Sequence, residues 1–115
     1  MSAAQIIFKI ICAFCIFYFQ TSHAASDDQN AVSLAKKNAC LGCHAINKKI
    51  VGPSFESIAS RYKNDSKAQL FLKNKILKGG SGSWGVVPMP ANEKLSDADL
   101  MLLTSWILRG APSAN

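Results

Sequence analysis

Three residues within five consecutive positions, Cys40, Cys43 and His44, carry the most specific chemistry in this sequence. In Cys40-Leu41-Gly42-Cys43-His44 the two thiols are three residues apart, so on a helical turn both fall on one side, and an imidazole follows directly. The pattern suits covalent attachment of a haem: both thiols reach the vinyl groups of one porphyrin edge to form thioethers, and the adjacent imidazole points at the iron. A zinc site would need a second pair of Cys or His ligands, and residues 25–115 contain none. A thioredoxin-like dithiol is expected beside a βαβ pattern, which is absent from the sequence. A structural disulfide leaves His44 unexplained. A second C-x-x-C, Cys12-Ala13-Phe14-Cys15, is followed by Ile16 inside an apolar run and does not match.

That apolar run belongs to a targeting signal. Lys9 supplies the positive n-region, residues 10–19 form an uninterrupted apolar h-region, and Ser22-His23-Ala24 has the small-x-small pattern cut by a signal peptidase. Cleavage is expected after Ala24, giving a signal peptide over 1–24 and one domain over 25–115. An uncleaved anchor is the alternative, but a spanning helix needs roughly 20 mainly apolar residues, and Lys9 interrupts this stretch. Trimming leaves 91 residues, two cysteines and one histidine. A chain this short buries a small core and commonly needs a staple, which a covalent haem would supply. Without Lys9, 12 basic and 7 acidic residues leave a formal charge of +5. The lysines are spread along the chain with few aromatics between them, so an acidic protein partner fits better than nucleic acid.

An iron held by His44 needs a second axial ligand, and the trimmed chain has no further histidine. It offers Met89 and Met101. Met101 falls inside a predicted helix, as an ordinary scaffold residue. Met89 lies in Val87-Pro88-Met89-Pro90, where the prolines restrict the backbone on both sides. Such a loop can hold a thioether rigidly against iron, although a methionine filling a gap beside the haem is the plainer alternative. Met/His ligation raises the reduction potential, because soft sulfur favours the ferrous state.

The elements that position these groups read as helices, with no alternating run long enough for a sheet. A first helix is predicted from Ser26 or Asp27, with acids in its first turn, Lys36 and Lys37 in its last, and Ala31, Leu34 and Ala35 as an apolar stripe. Further helices are predicted from Ser54 to about Tyr62 and from about Ser66 to Lys78, the latter stopped by Gly79-Gly80. The loop from Gly79 to Lys94 exceeds the roughly 12 residues at which irregular connections are usually functional or disordered. Ser96-Asp97-Ala98-Asp99 starts the last helix with a capping-box-like pattern, Leu100, Leu103 and Ile107 share one face, and Gly110 and Pro112 end it.

The motif set resembles the class I cytochromes c, in particular the small bacterial periplasmic type that donates electrons to nitrite reductase or a terminal oxidase. The resemblance rests on Cys40 to His44, Val51-Gly52-Pro53, Trp84-Gly85, Pro88-Met89-Pro90 with Asn92, and a closing helix containing Trp106, with His44 and Met89 only 45 positions apart. It implies an all-α class I cytochrome c fold of four or five short helices around one covalently bound haem c, ligated by His44 and Met89. Pro53 resembles the proline whose carbonyl orients the axial histidine. Trp84 resembles the tryptophan that donates to a haem propionate. Lys75 stands where an arginine is frequent near the same group, without its bidentate fork. Asn92 resembles the asparagine that steadies the axial methionine. Trp106 and Leu103 are expected to pack the last helix on the first.

The expected function is one-electron transport in the periplasm, from a respiratory complex of the cytochrome bc1 type to a reductase or oxidase, by a monomer that is not an enzyme. No stable membrane insertion is expected after signal cleavage. Peroxide chemistry would need a distal acid or base, and the single histidine is already used. Lys36, Lys37, Lys48 and Lys49 flank the attachment motif; a docking collar for acidic partners and a merely solubilising surface fit the sequence equally.

Overall fold

A computed structural model of the chain describes residues 1–5 and 21–114; the predicted h-region, with Cys12 and Cys15, lies outside the described residues. From residue 21 onward the chain forms α1 (Thr21–Lys37), a 3-10 turn (Cys40–Gly42), α2 (Phe55–Tyr62), α3 (Ala68–Lys78) and α4 (Asp97–Leu108). Among the described residues extended pairing is limited to two isolated bridges, His44 with Lys49 and Gly80 with Met89. None of the described helices is long and apolar enough to cross a membrane.

Helix α1 is already formed at Thr21, upstream of the predicted start at Ser26 or Asp27, and the first turn of its described span carries no acidic residue. Nothing in residues 21–25 breaks a helix, and Ala24 and Ala25 favour its continuation. Asp28 serves instead as a tertiary anchor: it is buried and accepts a 2.7 Å hydrogen bond from Arg109 just beyond α4. Ala31 and Ala35, four apart and fully buried, let the backbone of α1 approach α4 closely.

Local capping sets the other helix starts. Ser54 accepts from Ser57 N at 3.0 Å to open α2, and Ser96 accepts from Asp99 N at 3.1 Å to open α4. Helix α3 starts two residues later than predicted because the Asp65 carboxylate accepts from Lys67 N at 2.8 Å, which closes a separate turn first. Its buried face is Ala68, Leu72 and Ile76, at a spacing of four.

Helix α4 packs against each of the other three helices. Leu100, Leu103, Trp106 and Ile107 are buried as patterned. Thr104 is also fully buried, with its hydroxyl satisfied by the Leu100 carbonyl at 2.8 Å. Trp106 reaches beyond α1: its ring meets Phe55 of α2 edge-on at 5.3 Å, and its indole N–H donates to Pro112 O at 3.0 Å. From α3, Gln69 donates to Ser105 Oγ at 2.7 Å and Lys73 pairs with Asp97. The helix ends in a Schellman motif, with Gly110 N on Ile107 O and Ala111 N on Trp106 O, both at 2.9 Å.

This central position makes α4 the most sensitive element. Leu103→Ala is expected to lower unfolding free energy by about 3 kcal/mol, whereas Met101→Ala, at a side chain 40% exposed, should change it by less than about 0.5 kcal/mol. Urea titration of the two variants measures both; comparable losses would contradict this packing.

Candidate haem site

The attachment motif sits on the turn that follows α1. Ala39 adopts a left-handed conformation (φ 57°) that redirects the chain into the 3-10 turn, where Cys43 N and His44 N both donate to Cys40 O, at 3.2 and 3.0 Å. Cys40 and Cys43 are free, half-buried thiols. Burial pushes the Cys40 thiol above its ordinary pKa.

Three neighbours fix the His44 ring. Its Nδ1 lies 2.7 Å from Pro53 O. A carbonyl only accepts, so Nδ1 carries the proton and the Nε2 lone pair is left for a metal. The Phe55 ring stacks on the imidazole with centroids 5.3 Å apart and planes 16° from parallel. Gly52 lies so close that a β-carbon there would sit 2.5 Å from Cε1 and 2.8 Å from Nδ1. The strand of chain carrying Gly52 and Pro53 is itself anchored to the motif, with Gly52 N donating to Cys43 O at 2.8 Å and Phe55 N to Ala45 O at 3.0 Å.

Met89 is held just as closely. Its backbone exchanges two 2.9 Å hydrogen bonds with Gly80, directly after α3. Gly79 makes this approach possible: it has a left-handed φ of 66°, and any β-carbon would collide with Met89 O. On the far side of the Pro-Met-Pro segment, Asn92 N donates to Ile76 O at 2.9 Å, and the Asn92 side chain reaches Pro90 O at 3.4 Å. The Met89 side chain packs against the hydrophobic core.

Seven of the eight residues singled out in the sequence, Cys40, Cys43, His44, Pro53, Lys75, Trp84 and Met89, line one cleft of about 360 Å³. Asn92 does not line it and stands behind the loop. Leu72, Ile76, Leu103, Trp106 and Ile107 give the cleft apolar walls. Trp84 and Lys75 bring polar groups to it; the Trp84 ring is 39% exposed and lies under the Arg61 guanidinium. Two free thiols, an imidazole with an available Nε2 and a thioether in an apolar cleft with polar groups fit a covalently attached haem in both donor chemistry and polarity.

A sequence model described as Cytochrome c matches residues 29–111. The chain belongs to the cytochrome c family. Cytochrome c-552 of Nitrosomonas europaea is 46% identical over 80 residues, covering 70% of this chain and 78% of that protein. Cytochrome c-551 of Allochromatium vinosum is 44% identical over 75 residues, covering 65% and 80%. The crystal structure of wild-type Nitrosomonas europaea cytochrome c552 superimposes with a TM-score of 0.66 at 46% identity, covering 69% of this chain and 98% of that one. This cytochrome is therefore a small class I electron carrier with one haem c bound through Cys40 and Cys43.

Sequence reading missed three parts of the site. Gly52 was visible only as part of a motif, although a glycine beside a ligand-orienting proline is itself a sign of close backbone approach. Phe55 and Arg61 carried no local signal, because their partners lie 11 to 51 positions away. Gly52→Ala is expected to displace the imidazole, lowering stability by about 1–3 kcal/mol and reducing the fraction of cytochrome that carries haem. Gly42→Ala, where a β-carbon meets nothing within 4 Å, should leave both unchanged. Intact mass and thermal unfolding of the two variants distinguish this from general intolerance of the motif region.

Proposed function

We propose that this cytochrome is a periplasmic one-electron carrier with His44 and Met89 as axial ligands, transferring electrons from a respiratory complex to a terminal reductase or oxidase. The observation that carries the ligation is the double backbone hydrogen bond between Met89 and Gly80 in a Pro-bracketed segment lining the same cleft as His44. A thioether held by its own backbone is preorganised for ligation, and little entropy remains to be lost. Met101 is on α4, 40% exposed, and does not line the cleft.

The haem, when bound, supplies the one-electron couple. Every other part of the work falls to the polypeptide. Cys40 and Cys43 tether the group, His44 presents Nε2 in an orientation set by Pro53, Gly52 and Phe55, and Met89 biases the iron toward the ferrous state. Trp84 and Lys75, which line the cleft, would supply N–H donors to the propionates of the bound group. With its Nδ1 committed to Pro53, His44 is not a free acid or base, which favours a carrier over a peroxidase-like enzyme.

Release of the exported chain is expected to remove residues 1–24. The small-x-small pattern Ser22-His23-Ala24 supports this reading, and the cut would remove Thr21 to Ala24 from the start of α1. The periplasmic protein is expected to have the mass of residues 25–115 plus one haem, and its oxidised form should show the long-wavelength sulfur-to-iron charge-transfer band. Met89→Ala should abolish that band and Met101→Ala should keep it; a band that survives Met89→Ala would overturn the ligation.

The cytochrome's partners are expected to be acidic redox proteins, such as a nitrite reductase, a terminal oxidase or a bc1-type complex. Lys49 and Lys75 line the cleft, and Lys36, Lys37 and Lys48 are exposed nearby in sequence. This favours electrostatic steering of docking over a purely solubilising role. Second-order electron-transfer rates with such a partner should fall steeply as salt rises; rates independent of ionic strength would sink the steering role.

A further inference from the structure

Residues 81–87 form a largely exposed turn in the cleft wall. Gly82 N donates to Gly85 O at 2.8 Å within the turn itself, and Val86 and Val87 are 92% and 61% exposed. The Gly80–Met89 bridge anchors only the base of this segment. Trp84, the residue at its tip that matters for the cleft, has no side-chain hydrogen bond to any described residue. Yet one side chain from outside reaches the turn twice. Arg61, in the last turn of α2, places its guanidinium carbon 4.5 Å from the centre of the Trp84 ring, and its Nη1 donates to Ser83 O at 2.6 Å. The guanidinium also lies 5.5 Å from the neighbouring Tyr62 ring.

We propose that Arg61 is the positioning residue of this turn, a latch that clamps the Ser83-Trp84 peptide and indole against α2 and so holds Trp84 at the cleft. Two contacts of different kinds define the pose. The hydrogen bond sets the height of the backbone, and the planar cation on the ring face sets the tilt of the indole. A cation on the ring also draws electron density from the indole, which makes its N–H a stronger donor toward a carboxylate in the cleft. This last effect rests on the propionate role assigned to Trp84 above; the clamping of the turn does not. Arg61 does not itself line the cleft, and its action runs through Ser83 and Trp84.

Hydrogen exchange in the ferrous holoprotein, followed by NMR, tests the latch. The Gly82 amide reports the turn, the Trp84 indole N–H reports the ring, and the Trp106 indole N–H, bonded to Pro112 O, reports the core. Arg61→Ala is expected to speed exchange at Gly82 by about tenfold, as loss of one cation–π contact and one hydrogen bond implies, while Trp106 stays unchanged. Arg61→Lys, which keeps a cation over the ring but lacks the planar fork, should restore part of the protection. The reduction potential should fall in Arg61→Ala and recover in Arg61→Lys. Unchanged Gly82 exchange in Arg61→Ala, or acceleration shared equally by Trp106, would overturn the latch. An indole N–H of Trp84 that exchanges freely in the unsubstituted protein, beside a Gly82 amide that still responds to Arg61→Ala, would support the latch and reject the propionate role alone.

Discussion

The hydrogen bond between His44 Nδ1 and the Pro53 carbonyl is the constraint on which the rest of this cytochrome depends. It decides the tautomer, and the tautomer leaves the Nε2 lone pair as the one available to a metal. The bond also couples the site to the fold. Pro53 is held because Gly52 N is bonded to Cys43 O, and Gly52 can approach the ring because it has no β-carbon. Phe55, two residues on, stacks on the imidazole and meets Trp106 of α4 edge-on. A continuous line of contact therefore runs from the His44 imidazole to the buried Trp106 in the core. Disturbing the ring disturbs packing, and loosening α4 loosens the ring.

The cleft's other essential segment is built on a different principle. His44 is oriented by packing on a helix-proximal turn, whereas Met89 is oriented by its backbone. The Gly80–Met89 bridge fastens the loop to the end of α3, and Asn92 N closes the far side onto Ile76 O. The prolines limit what the intervening residues can do. Between these fastenings the turn around Trp84 extends into solvent, with Arg61 as its side-chain connection to α2. The wall of the cleft thus grades from a backbone-bridged base at Met89 to a turn held by the one side chain of Arg61 at Ser83 and Trp84. Local stability of this kind commonly varies within a small domain, in proportion to buried contacts and hydrogen bonds.

Much of this architecture was legible in the sequence, and the reasons differ by element. Helix α2 and helix α4 start where Ser54 and Ser96 predict, because an N-cap is a contact between residues three apart. The face of α4 follows from periodicity, and Gly79-Gly80 stops α3 where expected. Helix α1 departs from the prediction at its start, since the absence of a breaker in residues 21–25 outweighs the acidic pair at Asp27 and Asp28. Asp28 looked like a helix-dipole partner and is instead the buried acceptor for Arg109, 81 positions away. In the cleft, the motif residues came together as their types suggested, apart from Asn92, which stands behind the wall.

The sequence by itself determined the chemistry: two thiols and an imidazole at fixed spacing, a single methionine bracketed by prolines, and one histidine once the leading segment is set aside. These are properties of residue type and of separations no longer than one helical turn, so no fold is needed to read them. Tertiary structure alone decided how the groups are held. The stacking of Phe55 on His44, the closeness of Gly52, the Gly80–Met89 bridge and the reach of Arg61 to Trp84 join residues 8 to 23 positions apart. Contacts at those separations exist only after the helices have packed on α4, because it is burial of their apolar faces that brings the connecting loops to the same cleft.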